Sequence, residues 1–394
     1  MALARTRTMP RTMPRTILGA LLCFALCIVT ASGQAASEPK PQLAEEVFKN
    51  VQVLKGISVN EFMGTMGFFA ASLSLNCTDC HVSESSGDWG PYAADTPLKK
   101  TARRMIVMVN DLNKNSFGGR RAVTCYSCHR GTIFPKVIPN LAEQYSSPPA
   151  DDPNEIEIIG KAPATVSAEQ ILDKYIQALG GAQRLADLSS FVVKGTYQGY
   201  DTDLEAVPLE VFAKAPGQRT TVVHMRPGNS TTTYDGRAGW IAAADKPVGL
   251  LALAGEDLDG VRLEAALSFP TGIRQALGQW RAGFPKAAIG NREVQIIQGT
   301  AAGGSRVKLF FDQQSGLLVR VLRYTDTAVG IIPAQTDYSD YREVAGVKLP
   351  FHWVVTWTNG QSTAEVSEVQ PNVAIYASKF ARPAPALSPK PAAK

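Results

Sequence analysis

Four cysteines and two histidines fall into two pentapeptides, Cys77-Thr78-Asp79-Cys80-His81 and Cys125-Tyr126-Ser127-Cys128-His129. Cys-x-x-Cys-His is the spacing at which c-type haem is attached. The two thiols form thioethers with the porphyrin side groups and the adjacent imidazole reaches the iron, so one short turn must present all three. Outside the first 30 residues the chain has no other cysteine. Two other chemistries use paired cysteines. A four-thiolate zinc site spaces its pairs about 15–20 residues apart, whereas 44 residues separate Cys80 from Cys125 and a His follows each pair. Two local disulfides would strain their short loops, and a thioredoxin-like site requires a βαβ setting. The spacing therefore predicts two covalently bound haem c groups. Cys77, Cys80, Cys125 and Cys128 form the thioethers, and His81 and His129 are the proximal iron ligands.

The opposite iron ligand is narrowed by elimination. The two remaining histidines, His224 and His352, lie far along the chain in a different region. Haem iron in an electron carrier often takes a thioether, and Met/His ligation raises the reduction potential. Of eight methionines, Met1, Met9 and Met13 are near the amino terminus, while Met63, Met66, Met105 and Met108 stand two ahead of each motif. Methionine also fills core gaps, so each pair either offers one ligand beside one packing residue or is packing throughout.

Helices must carry these side chains. Leu43, Val47, Val51 and Leu54 recur at helical spacing, which predicts a helix from Pro41 to Lys55 ended by Gly56. Ser58-Val59-Asn60-Glu61 has the form of a capping box, and in the helix it starts Phe62, Met66, Phe69 and Leu73 share one face. A polar loop, Val82 to Pro91, follows the first motif. A third helix is predicted from Thr96 to Asn113, with Ala102, Met105, Ile106, Val109 and Leu112 as its apolar stripe; Gly118-Gly119 then breaks the chain before the second motif. Helix, break and attachment motif thus occur twice, as an internal repeat. Lys99, Lys100, Arg103, Arg104, Arg120, Arg121 and Arg130 crowd the second motif. They suit either haem propionates or an ordinary solvated helix face.

Val51-Gln52-Val53-Leu54, Glu61-Phe62 with Met66, Arg103-Arg104-Met105 and above all Val123-Thr124-Cys125-Tyr126-Ser127-Cys128-His129-Arg130-Gly131 carry a resemblance. Across residues 41–135 the chain resembles the cytochrome c subunit of photosynthetic reaction centres and its non-photosynthetic relatives. The resemblance implies that Met66 serves the first haem and Met105 the second, leaving Met63 and Met108 as packing residues. It also implies a membrane-bound electron-transfer complex as a partner. The chain departs from the family in two ways. The family shows the pattern twice over and carries four haems, whereas two motifs occur here. The family also places a His between the second Met helix and its motif, and Asn113 to Val123 contain none.

The ends are of different character. Arg5, Arg7, Arg11 and Arg15 precede an apolar run, Ile17 to Thr30, and small residues through Ala35, which reads as a secretory signal over 1–35. The run is short for a membrane span, and Cys23 and Cys27 each follow a Leu rather than the small residue of a lipoprotein signal. The formal charge of +5 misleads, since without those four arginines 36 basic side chains face 35 acidic ones. Nothing there suggests nucleic acid. Residues 36–148 form the haem domain. Residues 149–164 belong to a Pro-rich linker with acidic Asp151, Asp152, Glu155 and Glu157, so the haem domain is expected to be separable. Residues 381–394 are a Pro/Ala tail expected to be disordered.

Residues 165–380 read as β-rich. Ser167 caps a helix through Leu179, closed by Gly180-Gly181. Strand signals follow at Phe191–Tyr197, Leu209–Lys214, Thr220–Met225, Thr231–Tyr234 and Gly239–Ala242, and again at Val294–Gln298, Val307–Phe311, Leu317–Tyr324, Thr336–Val344 and Phe351–Thr358. Leu263 to Phe284 looks helical between the two sets, and Phe311 to Leu317 is a hairpin connection. One antiparallel sheet with helices on one face accommodates them. With Tyr234-Asp235-Gly236 followed by Trp240, the layout resembles the half-barrel of periplasmic Lol-type lipoprotein carriers. The resemblance implies room for an apolar ligand; a filled core is the alternative.

The fold class predicted is thus multidomain α + β, a mainly helical diheme c-type cytochrome domain followed by an antiparallel β half-barrel with capping helices. The function predicted is an exported, periplasmic carrier of single electrons between redox protein partners, with a reaction-centre-type donor role implied by the resemblance. A diheme peroxidase, which needs an open iron site, and a carrier of lipid or another apolar ligand whose haems serve docking are the alternatives.

Overall fold

Two long helices, each followed by a tight turn and a one-turn helix, build the amino-terminal half. The computed structural model describes residues 40–82, 89–141, 146, 154, 166–282 and 287–387. The expected leader therefore lies outside the described residues, as does all of the linker but Asn154. In order, the helices are α1 (Ala44–Val47), α2 (Val59–Leu73), α3 (Cys77–Cys80), α4 (Pro97–Ser116) and α5 (Cys125–His129). Ser58 caps α2 by accepting from the Glu61 N–H, and Ser74 ends it in the left-handed region. Thr96 caps α4, with Pro97 preset for the first turn.

The helix expected over Pro41–Lys55 shrinks to Ala44–Val47. Asn50 takes a positive φ of 61°, and its side-chain amide donates to Ala93 O at 2.7 Å and Asp95 Oδ1 at 2.8 Å. Long-range bonding has overridden an apolar spacing that was helical only in outline.

The carboxy-terminal half begins with α6 (Ala168–Ala178), capped by Ser167, and α7 (Ala182–Asp187). Strands β1 (Ser190–Gly199), β2 (Val207–Lys214), β3 (Gln218–Met225), β4 (Gly228–Tyr234), β5 (Gly239–Ala242) and β6 (Leu251–Leu253) precede α8 (Gly255–Ser268) and α9 (Ile273–Ala276). After them come β7 (Gly278–Ala282), β8 (Ala287–Ile289), β9 (Arg292–Thr300), β10 (Arg306–Asp312), β11 (Leu318–Asp326), β12 (Ile331–Val344), β13 (Val347–Trp357) and β14 (Gly360–Pro371). The helix expected over Leu263–Phe284 ends at Ser268 because Pro270 and Gly272 break it, and Gly278–Ala282 is a strand.

Among the described residues fourteen strands join one open antiparallel sheet, in the order β6-β5-β4-β3-β2-β1-β14-β13-β12-β11-β10-β9-β7, with β8 beside β9. The two sets of strands are joined by β1 against β14, Phe191 opposite Pro371 through Gly199 opposite Ser362. Helices α6 to α9 cover one face, where Leu172, Tyr175 and Ile273 pack with Val211, Leu309 and Phe311 in one core. Those side chains fill the face considered for an apolar ligand.

The halves share a second core. Val329, in the turn between β11 and β12, is 2% exposed and packs with Leu54, Phe68 and Ile106 of the helical half. The separability expected from the linker composition does not account for this packing. Asn154 is also engaged: its carbonyl accepts from Lys308 Nζ at 2.8 Å and from the Tyr324 hydroxyl, and its side chain accepts from Arg320 at 3.2 Å. The segment read as a disordered tail is described through residue 387, with the Ala386 N–H on Gly249 O at 2.8 Å.

Candidate haem site

The apolar stripe of α2 touches the core of Leu54, Phe68, Ile106 and Val329 at its edge and otherwise borders open space. Phe62, Met66, Phe69 and Leu73 line a cavity of about 530 Å³, together with Met63 and Ala70. The residues α2 buries most deeply are instead Val59, Thr65, Gly67, Phe68 and Ser72. A helix usually turns its apolar stripe to the core, so an apolar stripe around a cavity suits a large apolar group. Across the cavity α4 supplies Ala102, Met105 and Ile106, and the chain at residues 47–54, expected to be helical, supplies a wall.

Cys77, Cys80, His81, Cys125 and His129 all border this cavity, as do Met66 and Met105. Cys128 is exposed and lies outside its lining. The four thiols are free. Among the described residues no three His, Cys, Asp or Glu side chains are grouped to hold an ion, so the cysteines are not gathered into a four-thiolate zinc site. Met108, implied to be a packing residue, is 50% exposed on α4.

Each motif forms a single helical turn. In α3 the Asn76 N–H donates to Asp79 Oδ2 at 2.7 Å, and in α5 the Thr124 N–H donates to Ser127 Oγ at 3.0 Å. The polar residues between the cysteines thus cap the turns that present them. Burial pushes the Cys80 and Cys125 thiols up from their ordinary value.

Both histidines are oriented in the same way. His81 Nδ1 lies 3.0 Å from Tyr92 O and His129 Nδ1 3.0 Å from Thr132 O. A carbonyl only accepts, so in each neutral ring Nδ1 carries the proton and Nε2 keeps its lone pair. That is the arrangement of a metal-ligating histidine, whose second nitrogen donates to a fixed acceptor. Burial holds the His81 pKa below the ordinary imidazole range; the Tyr92 bond opposes this and the Lys99 charge adds to it. Residues 89–96 brace the first motif: the Tyr92 ring lies tilted against His81 with centroids 4.8 Å apart, and Thr96 Oγ1 donates to Cys80 O at 2.7 Å.

Asn113 is a positioning residue that sequence reasoning passed over. Buried at the end of α4, its side chain accepts from the Ala122 and Val123 N–H groups at 3.0 and 2.9 Å and donates to Val123 O at 2.7 Å. It pins the strand of chain entering the second motif. On the far side of that motif the Gly131 N–H donates to Ser72 O at 2.9 Å, tying the second motif to the first helix. Several of the basic side chains are used by the protein. Arg103 pairs with Asp95 at 2.7 Å, Arg121 lies 3.6 Å from Asp326, and Lys99 donates to Tyr92 O and Ala94 O.

Residues 24–162 match the family described as photosynthetic reaction centre cytochrome C subunit. The photosynthetic reaction center cytochrome c subunit of Thermochromatium tepidum is 40% identical over 106 residues, which are 26% of this chain and 25% of that protein. The subunit of the same description from Roseobacter denitrificans is 34% identical over 105 residues, 25% of this chain and 28% of that protein. The chain thus spans about a quarter of the length of these relatives. Its amino-terminal third is similar to reaction-centre cytochrome sequence, as the motifs implied. Among solved structures, a LolA superfamily protein from Nitrosomonas europaea superposes on 55% of this chain and 98% of its own, at TM-score 0.38 and 14% identity. No helix among the described residues is long and apolar enough to cross a membrane.

Proposed function

We propose that the chain is an exported diheme c-type cytochrome that carries single electrons between redox protein partners, one of them a membrane-bound electron-transfer complex. The observation that carries this reading is the shared state of His81 and His129, each with Nδ1 held 3.0 Å from a backbone carbonyl. When bound, each haem supplies a one-electron iron couple. Cys77 and Cys80 would hold the first haem, with His81 and Met66 to ligate its iron. Cys125 and Cys128 would hold the second, with His129 and Met105 to ligate its iron.

The chain's residues do the rest. Carbonyl bonds fix the imidazole tautomer, the apolar α2 and α4 stripes line the cavity, and the Met66 and Met105 thioethers would favour reduced iron. Residues of both motifs border one cavity, so the two haems would be held against shared apolar walls. A methionine opposite each histidine would leave no place for peroxide, which separates this carrier from a diheme peroxidase.

Acid-acetone extraction of the purified chain should leave the colour with the protein, at two haems per chain. Replacing Cys125 and Cys128 with Ala should halve the haem content. Turnover of peroxide, together with carbon monoxide binding at one haem of the wild type, would overturn the carrier reading.

A further inference from the structure

Helix α2 has two working faces. One turns Met66, Phe69 and Leu73 to the cavity. The opposite face, with Glu61, Gly64 and Phe68, is gripped by two hairpin tips of the sheet. At the first tip, residues 327–330 between β11 and β12, Val329 inserts beside Phe68 and the Ala328 N–H donates to Glu61 Oε1 at 3.0 Å. A methyl on Gly330 would overlap the Phe68 ring, and one on Gly64 would stand 2.9 Å from Ile332 Cδ1. At the second tip, between β13 and β14, a methyl on Gly67 would lie 2.7 Å from Asn359 Oδ1 and 2.8 Å from Thr358 Oγ1.

The first tip is itself braced. Thr327, 2% exposed, donates from both N–H and Oγ1 to Gly330 O at 2.8 Å, and its Oγ1 accepts from the Gly330 N–H at 3.1 Å. A capping box would turn Glu61 back on Ser58; here the Glu61 carboxylate reaches the sheet instead. Glycine on both sides of the contact leaves no side chain to absorb a displacement, and close-packed interiors transmit strain. Any shift of the tips therefore moves α2 and the thioether it carries.

We propose that the two hairpin tips are a positioning clamp: they set the depth and rotation at which α2 presents Met66 to the first haem iron, and through it the carboxy-terminal sheet tunes that haem's potential. The inference rests on reading Met66 as an iron ligand. Groups outside the ligand shell that orient a ligand also tune the metal, and loosening a thioether lowers the potential it had raised.

The test uses the full-length haem-loaded protein and two readouts, the weak far-red sulfur-to-iron band of the oxidised state and the midpoint potential of each haem. Gly330→Ala drives the tip against Phe68. It should remove the first haem's share of the band and lower one potential, leaving the other in place. Adding Phe68→Leu withdraws the ring and should restore both signals. Thr358→Ala with Asn359→Ala slackens the second tip and should shift the same haem; it decides the matter on these criteria if Gly330→Ala does not accumulate. Unchanged signals in a folded variant, or equal shifts at both haems, overturn the clamp. A wild type without the far-red band overturns the ligand reading and the clamp with it. A wild-type band that the variants leave untouched sinks the clamp alone.

Discussion

The side-chain amide of Asn113 donates to Val123 O at 2.7 Å and accepts from the Val123 N–H at 2.9 Å. One residue at the end of α4 thus fixes the chain two positions before Cys125. Asn113→Ala leaves these groups without their partner, at a cost of about 1–3 kcal/mol for each that stays buried and unpaired. Haem occupancy at the second motif should fall while the first stays loaded. Haem stoichiometry in the Asn113→Ala protein, with and without Cys77→Ala and Cys80→Ala, separates the two sites.

Met66→Ala should open the first iron alone and lower its potential, and Met105→Ala should do the same at the second. Carbon monoxide binding to the reduced protein reads each opening. Met63 borders the cavity, and its truncation should perturb packing without loss of the far-red band. Met108 is half exposed, so Met108→Ala should change stability by within about 0.5 kcal/mol, as surface substitutions do. Loss of the band in Met63→Ala or Met108→Ala would assign the ligand to that residue instead.

Three carboxyl groups meet where the halves join. Burial raises the pKa values of Glu61, Glu256 and Asp257, and the Asp257 and Glu256 charges raise Glu61 further, against the opposing pull of Arg121 and Arg323 and of hydrogen bonds from Ala328, Asp326 and Asn60. Asp326 and Asp259 add like charge beside Glu256. The folded state then holds protons that the unfolded state has released, so stability falls as pH rises from the ordinary carboxylate value through the raised one. Above that window the penalty is complete. Asp257→Asn should raise the melting temperature at neutral pH, with the advantage vanishing below the ordinary carboxylate range. Parallel melting curves of the two proteins at every pH would contradict this.

A chain ending at Pro148 loses Ala328, Val329 and Ile332, which cover Phe68 and Ile106. Uncovering a large apolar side chain costs about 1.5–3 kcal/mol. The fragment should therefore melt well below the full chain when haem absorbance is followed, and it should accumulate less haem-loaded protein. Equal melting temperatures would restore the separability suggested by the linker's prolines.

Much of the helical half was legible because its signals are local. Ser58 and Thr96 cap the helices that their sequences announce, and the stripes of α2 and α4 are read at the right residues. What they face was not legible: a stripe around a cavity and a stripe in a core have the same period. In the sheet the β-branched and aromatic strands stood out, while β14 was missed. Its Glu, Ser and Gln residues have little strand preference, although Ser362, Ala364 and Val366 are buried in alternation. Short β6 and β8 offer three residues each, too few for a pattern. Asn113 and Val329 act across distances that no local pattern encodes.

Under the proposed carrier role, Asn154 has a consequence for how the chain would meet a partner. A haem module on a slack tether searches a volume set by the length of its arm, and its encounters are nearly intramolecular. Here the arm is fastened midway, by Lys308, Arg320 and Tyr324 of the sheet. Tethered searching gives way to collision of the whole chain, whose rate is set by rotational alignment and long-range charge. On the carrier reading proposed above, electron delivery should then depend on ionic strength and solvent viscosity as collision of the whole chain does.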